Sequence, residues 1–260
     1  MSDTGESSHT VTQQAARREA VILTLVALGY SNGLAILAMR RNRVADQAYR
    51  WTNPVFLVAL LITLARVRRT SVPRLLREAG VQRAGWPVAL GGGLVLGGVL
   101  AAPALVFFAR PLVLDSPLEY GPIGGLSRRA FWLRVLIELP LGVALFEELL
   151  FRGLLWEAWA RAASQPVAWA ASSAVFAGWH CAVGVDTMRR TNIGVAATRL
   201  PRPLRRHANM LGVLGGMLST GVAGVLLGWL RTRGRGNLLG PALAHWIADA
   251  LIVAALRRGR

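Results

Sequence analysis

Two adjacent glutamates, Glu147 and Glu148, are followed by Arg152 within an apolar stretch of helix-forming residues. Charged groups are costly at membrane depth, so ionisable residues in such a stretch indicate a functional site. On a helix, Glu148 and Arg152 are one turn apart and can form an ion pair. Glu147 lies about 140° from Arg152 around the same helix. The spacing therefore predicts that Arg152 keeps Glu148 ionised, which leaves Glu147 to accept a proton as a general base.

Two histidines further along the chain suit the same chemistry. His245 and Asp249 are one helical turn apart, so Asp249 could orient the imidazole and fix its tautomer. His180 follows Phe176 by four residues, and we expect the Phe176 ring to shape the site or contact substrate by packing. The predicted catalytic set comprises Glu147, Glu148, Arg152, His180, His245 and Asp249.

The chain around these residues can bring them to a common depth. A turn at Ser164-Gln165-Pro166 would make two neighbouring helices an antiparallel hairpin. Glu147 and His180 would then lie at depths that agree to within about 3 Å, at about 1.5 Å per residue. The last apolar segment begins near Gly240-Pro241, which is a good helix start, and enters from the same side. We therefore expect His245 to approach the glutamates.

Composition predicts the fold class. Of the chain's residues, 53% are hydrophobic. A membrane-spanning helix requires about 20 residues, and most of the apolar runs in this chain approach that length. We predict an all-α polytopic transmembrane bundle of about seven spans, or eight with a re-entrant or interfacial helix. The apolar runs are residues 20–39, 54–65, 86–109, 131–146, 166–185, 210–230 and 238–256.

Charge and composition also divide the chain. Residues 1–18 are polar and are predicted to be a disordered tail, and residues 19–260 a single transmembrane domain. Within that domain, residues 19–129 hold the first three spans and residues 130–256 the motif-bearing catalytic core. The net charge of +17 comes from arginines in the loops, where they bind anionic lipid head groups. We therefore expect a multi-pass protein of the cell membrane, with the lipid bilayer and not nucleic acid as partner.

Glycines are frequent in several of these runs, notably between Gly91 and Gly98 and again between Gly212 and Gly228. Small residues four positions apart allow membrane helices to approach closely. We predict that these glycines mark helix–helix contacts.

Taken together, the motifs Glu147-Glu148-x-x-x-Arg152, Phe176-x-x-x-His180 and His245-x-x-x-Asp249 resemble those of one family. It is the CAAX-processing and bacteriocin-processing membrane protein family (CPBP, or Abi). The family includes the type II CAAX prenyl endopeptidases, which are glutamate-dependent intramembrane proteases. The resemblance covers roughly residues 130–256.

The resemblance implies an intramembrane endopeptidase for membrane-associated, CAAX-like or leader peptides, with no cofactor. Glu147 would activate water for attack on a peptide carbonyl, and His180 would position or polarise that water. His245 and the residue at position 249 would stabilise the oxyanion, while Glu148 and Arg152 support the site.

The chain departs from the family pattern at Asp249, where the CAAX proteases usually have Asn. An Asn amide can donate to an oxyanion, whereas an ionised Asp cannot. Three alternatives remain open: Asp249 is protonated, it orients His245, or it marks a weakened or altered activity.

Three alternative functions are also compatible with these residues. Two histidines and several carboxylates could ligate zinc, as in a zinc-dependent membrane peptidase. Glu, His and Asp within a helical bundle could relay protons in a transporter. A member of the same family could instead be a non-proteolytic scaffold or immunity protein.

Overall fold

The computed structural model describes residues 4–109, 117–199 and 201–258. Within these ranges the secondary structure is helical without strands, apart from one isolated antiparallel bridge between Tyr120 and Thr191. The predicted all-α class is therefore confirmed. The helices in chain order are α1 Thr4–Arg40, α2 Ala45–Val67, α3 Val72–Glu78, α4 Trp86–Ala109, α5 Gly121–Gly124, α6 residues 128–162, α7 Gln165–Trp179, α8 Cys181–Arg190, α9 Asn192–Ala197, α10 Arg202–Arg233 and α11 Leu239–Arg258.

Several of these helices can cross a bilayer. Among the described residues, four segments are long and apolar enough: Gln13–Arg40, Trp86–Phe107, Arg202–Arg233 and Leu239–Arg257. The apolar part of α2, Thr52–Val67, is shorter. A transmembrane helical bundle is thus confirmed, whereas the count of about seven spans and any extra re-entrant or interfacial helix stay predictions.

Helix α1 extends beyond its apolar part toward the N-terminus. Residues 4–18 were predicted to be disordered but belong to this helix, and residues 1–3 lie outside the described residues. Ala16 packs against the main hydrophobic core, and Arg17 Nε donates to the Ala162 carbonyl. These contacts hold α1 against α6 at residues 16 and 17. The division at residue 19 and the single domain that follows it stay predictions.

Helix α6 carries the acidic pair and is irregular on both sides of it. Its backbone is π-helical over Arg134–Ala144 and Leu149–Leu155, with the α-helical turn Leu145–Glu148 between them. The first π segment contains Pro140, which lacks a backbone N–H and cannot complete an α-helical hydrogen bond. π-Helical turns are rare and are frequently found at functional sites.

The apolar run 166–185, predicted as one span, is divided into α7 and α8. The predicted turn before it is present, because α6 ends at Ala162 and the Ser164 side chain caps α7 by accepting from Val167 N. Helix α7 ends at Trp179 and α8 begins at Cys181, with His180 between them. Polar groups of α1 bind the backbone at this break.

Glycines allow α4 and α11 to pack closely. A Cβ atom at Gly97 would lie 2.7 Å from Ile247 Cβ, and one at Gly93 would lie 2.8 Å from the Gly240 carbonyl oxygen. The predicted helix contacts are confirmed at these two glycines. In contrast, Gly91 and Gly98 have open space where a Cβ would lie.

Candidate active site

The residues predicted to do chemistry lie together, although three separate parts of the chain supply them. Helix α6 contributes Glu147, Glu148 and Arg152, the α7–α8 junction contributes His180, and α11 contributes His245 and Asp249. The hairpin of α6 and α7 places His180 opposite the acidic pair, as its loop position predicts. The early α11 position of His245 brings it to the same depth.

A buried chain of charges forms the inner part of the site. Arg152 Nη1 donates to Glu148 Oε1 over 2.8 Å, and both side chains are fully buried. The same oxygen lies 2.9 Å from His245 Nδ1. Because a carboxylate paired with a guanidinium can only accept, His245 must donate from Nδ1 to Glu148.

Asp249 lies on the other side of the His245 ring. Its Oδ2 atom is 3.6 Å from His245 Nε2, whereas Glu148 occupies Nδ1. The i,i+4 spacing predicted that Asp249 orients His245, yet the hydrogen bond that fixes the tautomer comes from Glu148. Helical spacing within α11 could not indicate a partner from α6.

Glu147 points away from Arg152 and toward both histidines. Its Oε1 accepts a hydrogen bond from Trp179 Nε1 over 3.1 Å. Its Oε2 is buried and has no hydrogen-bond partner among the described residues, with His245 Nε2 at 3.8 Å and His180 Nε2 at 4.0 Å. These distances exceed a direct hydrogen bond. Polar atoms at such separations are commonly bridged by a water molecule.

His180 is held in one orientation by its own helix. Its Nδ1 atom lies 2.8 Å from the Phe176 carbonyl oxygen. Because a carbonyl only accepts, Nδ1 carries the proton and the neutral ring presents Nε2 as an acceptor. Side-chain exposure rises from 0% at Glu148 to 25% at His180 and 30% at Asp249. The site is therefore most exposed on the side of His180 and Asp249.

The buried ring of Phe176 lies at the centre of the site. It makes edge contacts with the rings of His180 and His245, at centroid distances of 4.8 and 5.8 Å. The Arg152 guanidinium lies 4.2 Å from the centre of its face. Phe176 therefore packs against Arg152 and both histidine rings at once and limits their movement, in line with a packing role.

The sequence reasoning missed Trp179, Ser31 and Asn32. Ser31 Oγ donates to the Trp179 carbonyl over 2.7 Å, and Asn32 Nδ2 donates to the Gly178 carbonyl over 3.1 Å. Asn32 Oδ1 also accepts from Ala182 N over 2.8 Å. These groups replace helical hydrogen bonds at the break, which positions Trp179 and His180. The sequence feature that could have indicated this contact is the pair of polar residues, Ser31 and Asn32, in the middle of the first apolar run.

In residues 4–109, 117–199 and 201–258, no group of three or more His, Cys, Asp or Glu side chains is arranged to hold a metal ion.

Residues 129–251 match the family described as Type II CAAX prenyl endopeptidase Rce1-like. No curated protein and no solved structure matches the chain. The matched segment contains every motif residue from Glu147 to Asp249 and does not extend to Ser31 and Asn32. The resemblance that the three motifs carry is therefore confirmed.

Proposed function

Residues 129–251 belong to the CPBP (Abi) family of CAAX proteases, and from this premise we propose that the chain is a membrane-embedded endopeptidase that uses Glu147 as general base. One observation carries the proposal: the buried Oε2 atom of Glu147 faces Nε2 of both His180 and His245. This arrangement gives one water molecule a proton acceptor and two further polar neighbours. The substrates would be peptides or membrane-anchored proteins, CAAX-like or leader peptides among them.

The reaction begins with a water molecule beside Glu147. The carboxylate accepts a proton as the water oxygen attacks the peptide carbonyl carbon, which forms a tetrahedral oxyanion. Glu147 then returns the proton to the leaving nitrogen, and the carbon–nitrogen bond breaks. The products are a new carboxyl terminus and a new amino terminus, so one water is consumed for each bond cut.

The two histidines have different roles in this scheme. His180 accepts a hydrogen bond from the water at Nε2, because its Nδ1 proton is held by the Phe176 carbonyl. His245 already donates from Nδ1 to Glu148, so it can donate to the oxyanion from Nε2 only as an imidazolium. Carboxylate oxygens of Glu147, Glu148 and Asp249 lie within 3.8 Å of its ring nitrogens and favour that cation.

A comparison of peptide products tests whether the chain cleaves at all. We expect peptides that accumulate with the wild-type chain to be absent with His180→Ala, because the attacking water loses its acceptor. Mass spectrometry of membrane-associated peptides from cells that express each form is the measurement. The matched control is His207→Ala, because His207 is exposed on α10 and its Nδ1 atom bonds the Pro203 carbonyl of the same helix.

The control should leave the products unchanged. Equal membrane levels of all three proteins are checked by immunoblot. Identical products from His180→Ala and the wild type would contradict the proteolytic proposal and favour the scaffold or immunity role within the same family.

Asp249 is proposed to act through His245, and its replacement by Asn tests the departure from the family pattern. Asp249→Asn should retain cleavage to within about tenfold, because the amide oxygen can still face the His245 Nε2 atom and the NH₂ group can donate to the oxyanion. Asp249→Ala removes both groups and should lose about tenfold more. Initial cleavage rates in liposomes measure the difference. Complete loss in a folded Asp249→Asn protein would show that the negative charge is required.

A further inference from the structure

A long groove lies between α1 and α2, at a distance from the catalytic residues. Its volume is 1320 Å³. Most small-molecule sites are smaller, with volumes of about 300–1,000 Å³. It follows α1 from Gln13 to Val26, about 20 Å along the helix axis. An occupant of this groove would therefore be long rather than compact.

The two ends of the groove differ in chemistry. Most of its length is apolar, with Ile22, Val26, Ala59 and Leu60 among the lining residues. The other end is polar: it holds the charged residues Arg18, Glu19, Arg68 and Arg161, with Gln13 and Gln14 beyond them along α1. The occupant should accordingly combine an apolar body with a polar end of opposite charge.

A smaller polar pocket of 280 Å³ adjoins this charged end. Both pockets are lined by Glu19, Arg68 and Arg161, and the smaller one adds Arg69, Thr70, Arg74 and Glu78. Arg68 and Arg161 both donate to Oε1 of Glu19, so one carboxylate faces two guanidinium groups. Five arginines and two glutamates line the two pockets together. The excess positive charge suits an anion.

The charged end lies where the apolar parts of both helices stop. The apolar run of α1 starts at Ala20, just after Glu19, and that of α2 ends at Ala65, just before the arginines. Lipid head groups occupy this level of a membrane, and basic pockets between membrane helices bind anionic ones. We propose that the groove binds an anionic phospholipid, with its phosphate at Arg68 and Arg161 and its acyl chains between α1 and α2.

Native mass spectrometry of the detergent-solubilised protein with added phosphatidylglycerol or phosphatidylcholine tests this proposal. The wild type should bind phosphatidylglycerol more tightly than phosphatidylcholine. The Arg68→Gln/Arg161→Gln variant should bind phosphatidylglycerol about 25-fold more weakly, or about fivefold for each arginine. The control Arg66→Gln/Arg77→Gln removes the same charge from exposed positions outside both pockets and should bind as the wild type does.

A second variant tests the apolar part without altering charge. Ala59→Trp fills the groove from α2 and should weaken phosphatidylglycerol binding, whereas Val58→Trp, on an exposed face outside the groove, should not. This pair also keeps the test decisive if the double arginine variant does not fold. Inorganic phosphate at the same concentration should fail to displace the lipid. Equal binding of both lipids, wild-type binding by Ala59→Trp, or displacement by inorganic phosphate would overturn the proposal.

Discussion

Replacement of Glu147 by Gln is expected to lower the peptide cleavage rate by about 10²–10⁴-fold, the usual contribution of a general base. The amide has nearly the same shape as the carboxylate and can still accept from Trp179 Nε1, so the local packing should persist. It cannot accept a proton from water at neutral pH. The loss should therefore appear in kcat rather than in KM, because ground-state substrate contacts are retained.

The measurement is the cleavage rate of a peptide identified from wild-type membranes, with purified protein in liposomes. Glu157→Gln is a suitable control, since Glu157 lies on the same helix ten residues after Glu147 and pairs with Arg231. It should cleave at close to the wild-type rate. A folded Glu147→Gln protein with wild-type kcat would refute the assignment of Glu147 as base, whichever substrate is used.

Among the substitutions proposed for this protein, Arg152→Met is expected to lower the free energy of unfolding most, by about 3–5 kcal/mol. Both members of the Arg152–Glu148 pair are fully buried, so the substitution leaves the Glu148 carboxylate without its guanidinium partner. His245 would remain as its only other hydrogen-bond donor among the described residues. The free energy of unfolding, measured by SDS titration in mixed micelles, tests the expectation.

The matched control is Arg74→Met, because Arg74 and Glu78 form an i,i+4 pair of the same type whose side chains are 68% and 40% exposed. An exposed pair contributes at most about 1 kcal/mol, so this variant should unfold almost as the wild type does. The double variant Glu148→Gln/Arg152→Met removes both charges and should recover part of the lost stability. Equal small losses for Arg152→Met and Arg74→Met would contradict the assignment of a structural role to the buried pair.

Local periodicity was enough to predict much of the site. The Glu148–Arg152 pair and the opposite direction of Glu147 follow from helical spacing alone, and both are present. The turn near Ser164 was evident from its capping residue and the following proline. These features depend on neighbours in sequence, which is why a single sequence reveals them.

Features that depend on distant parts of the chain were not predictable in this way. The break at His180 lies in a run that is apolar throughout, and it is stabilised by side chains of α1 about 150 residues away. The π-helical segments beside Glu147 likewise depend on how α6 packs. The hydrogen bond from His245 Nδ1 to Glu148, and not to Asp249, was unpredictable for the same reason, because Glu148 is 97 residues away in the chain.

The contact of Ser31 and Asn32 with the α7–α8 junction affects the design of chimeras that join the matched segment to the N-terminal helices of another protein. A chimera joined just before residue 129 would keep every recognisable motif of the matched segment. It would still lose the donors to the carbonyls of residues 178 and 179 unless its new first helix supplied them. Motif content alone is therefore an insufficient guide to which relatives are competent enzymes. The inheritance of the amino-terminal helix together with the matched segment should matter as much as the motifs themselves.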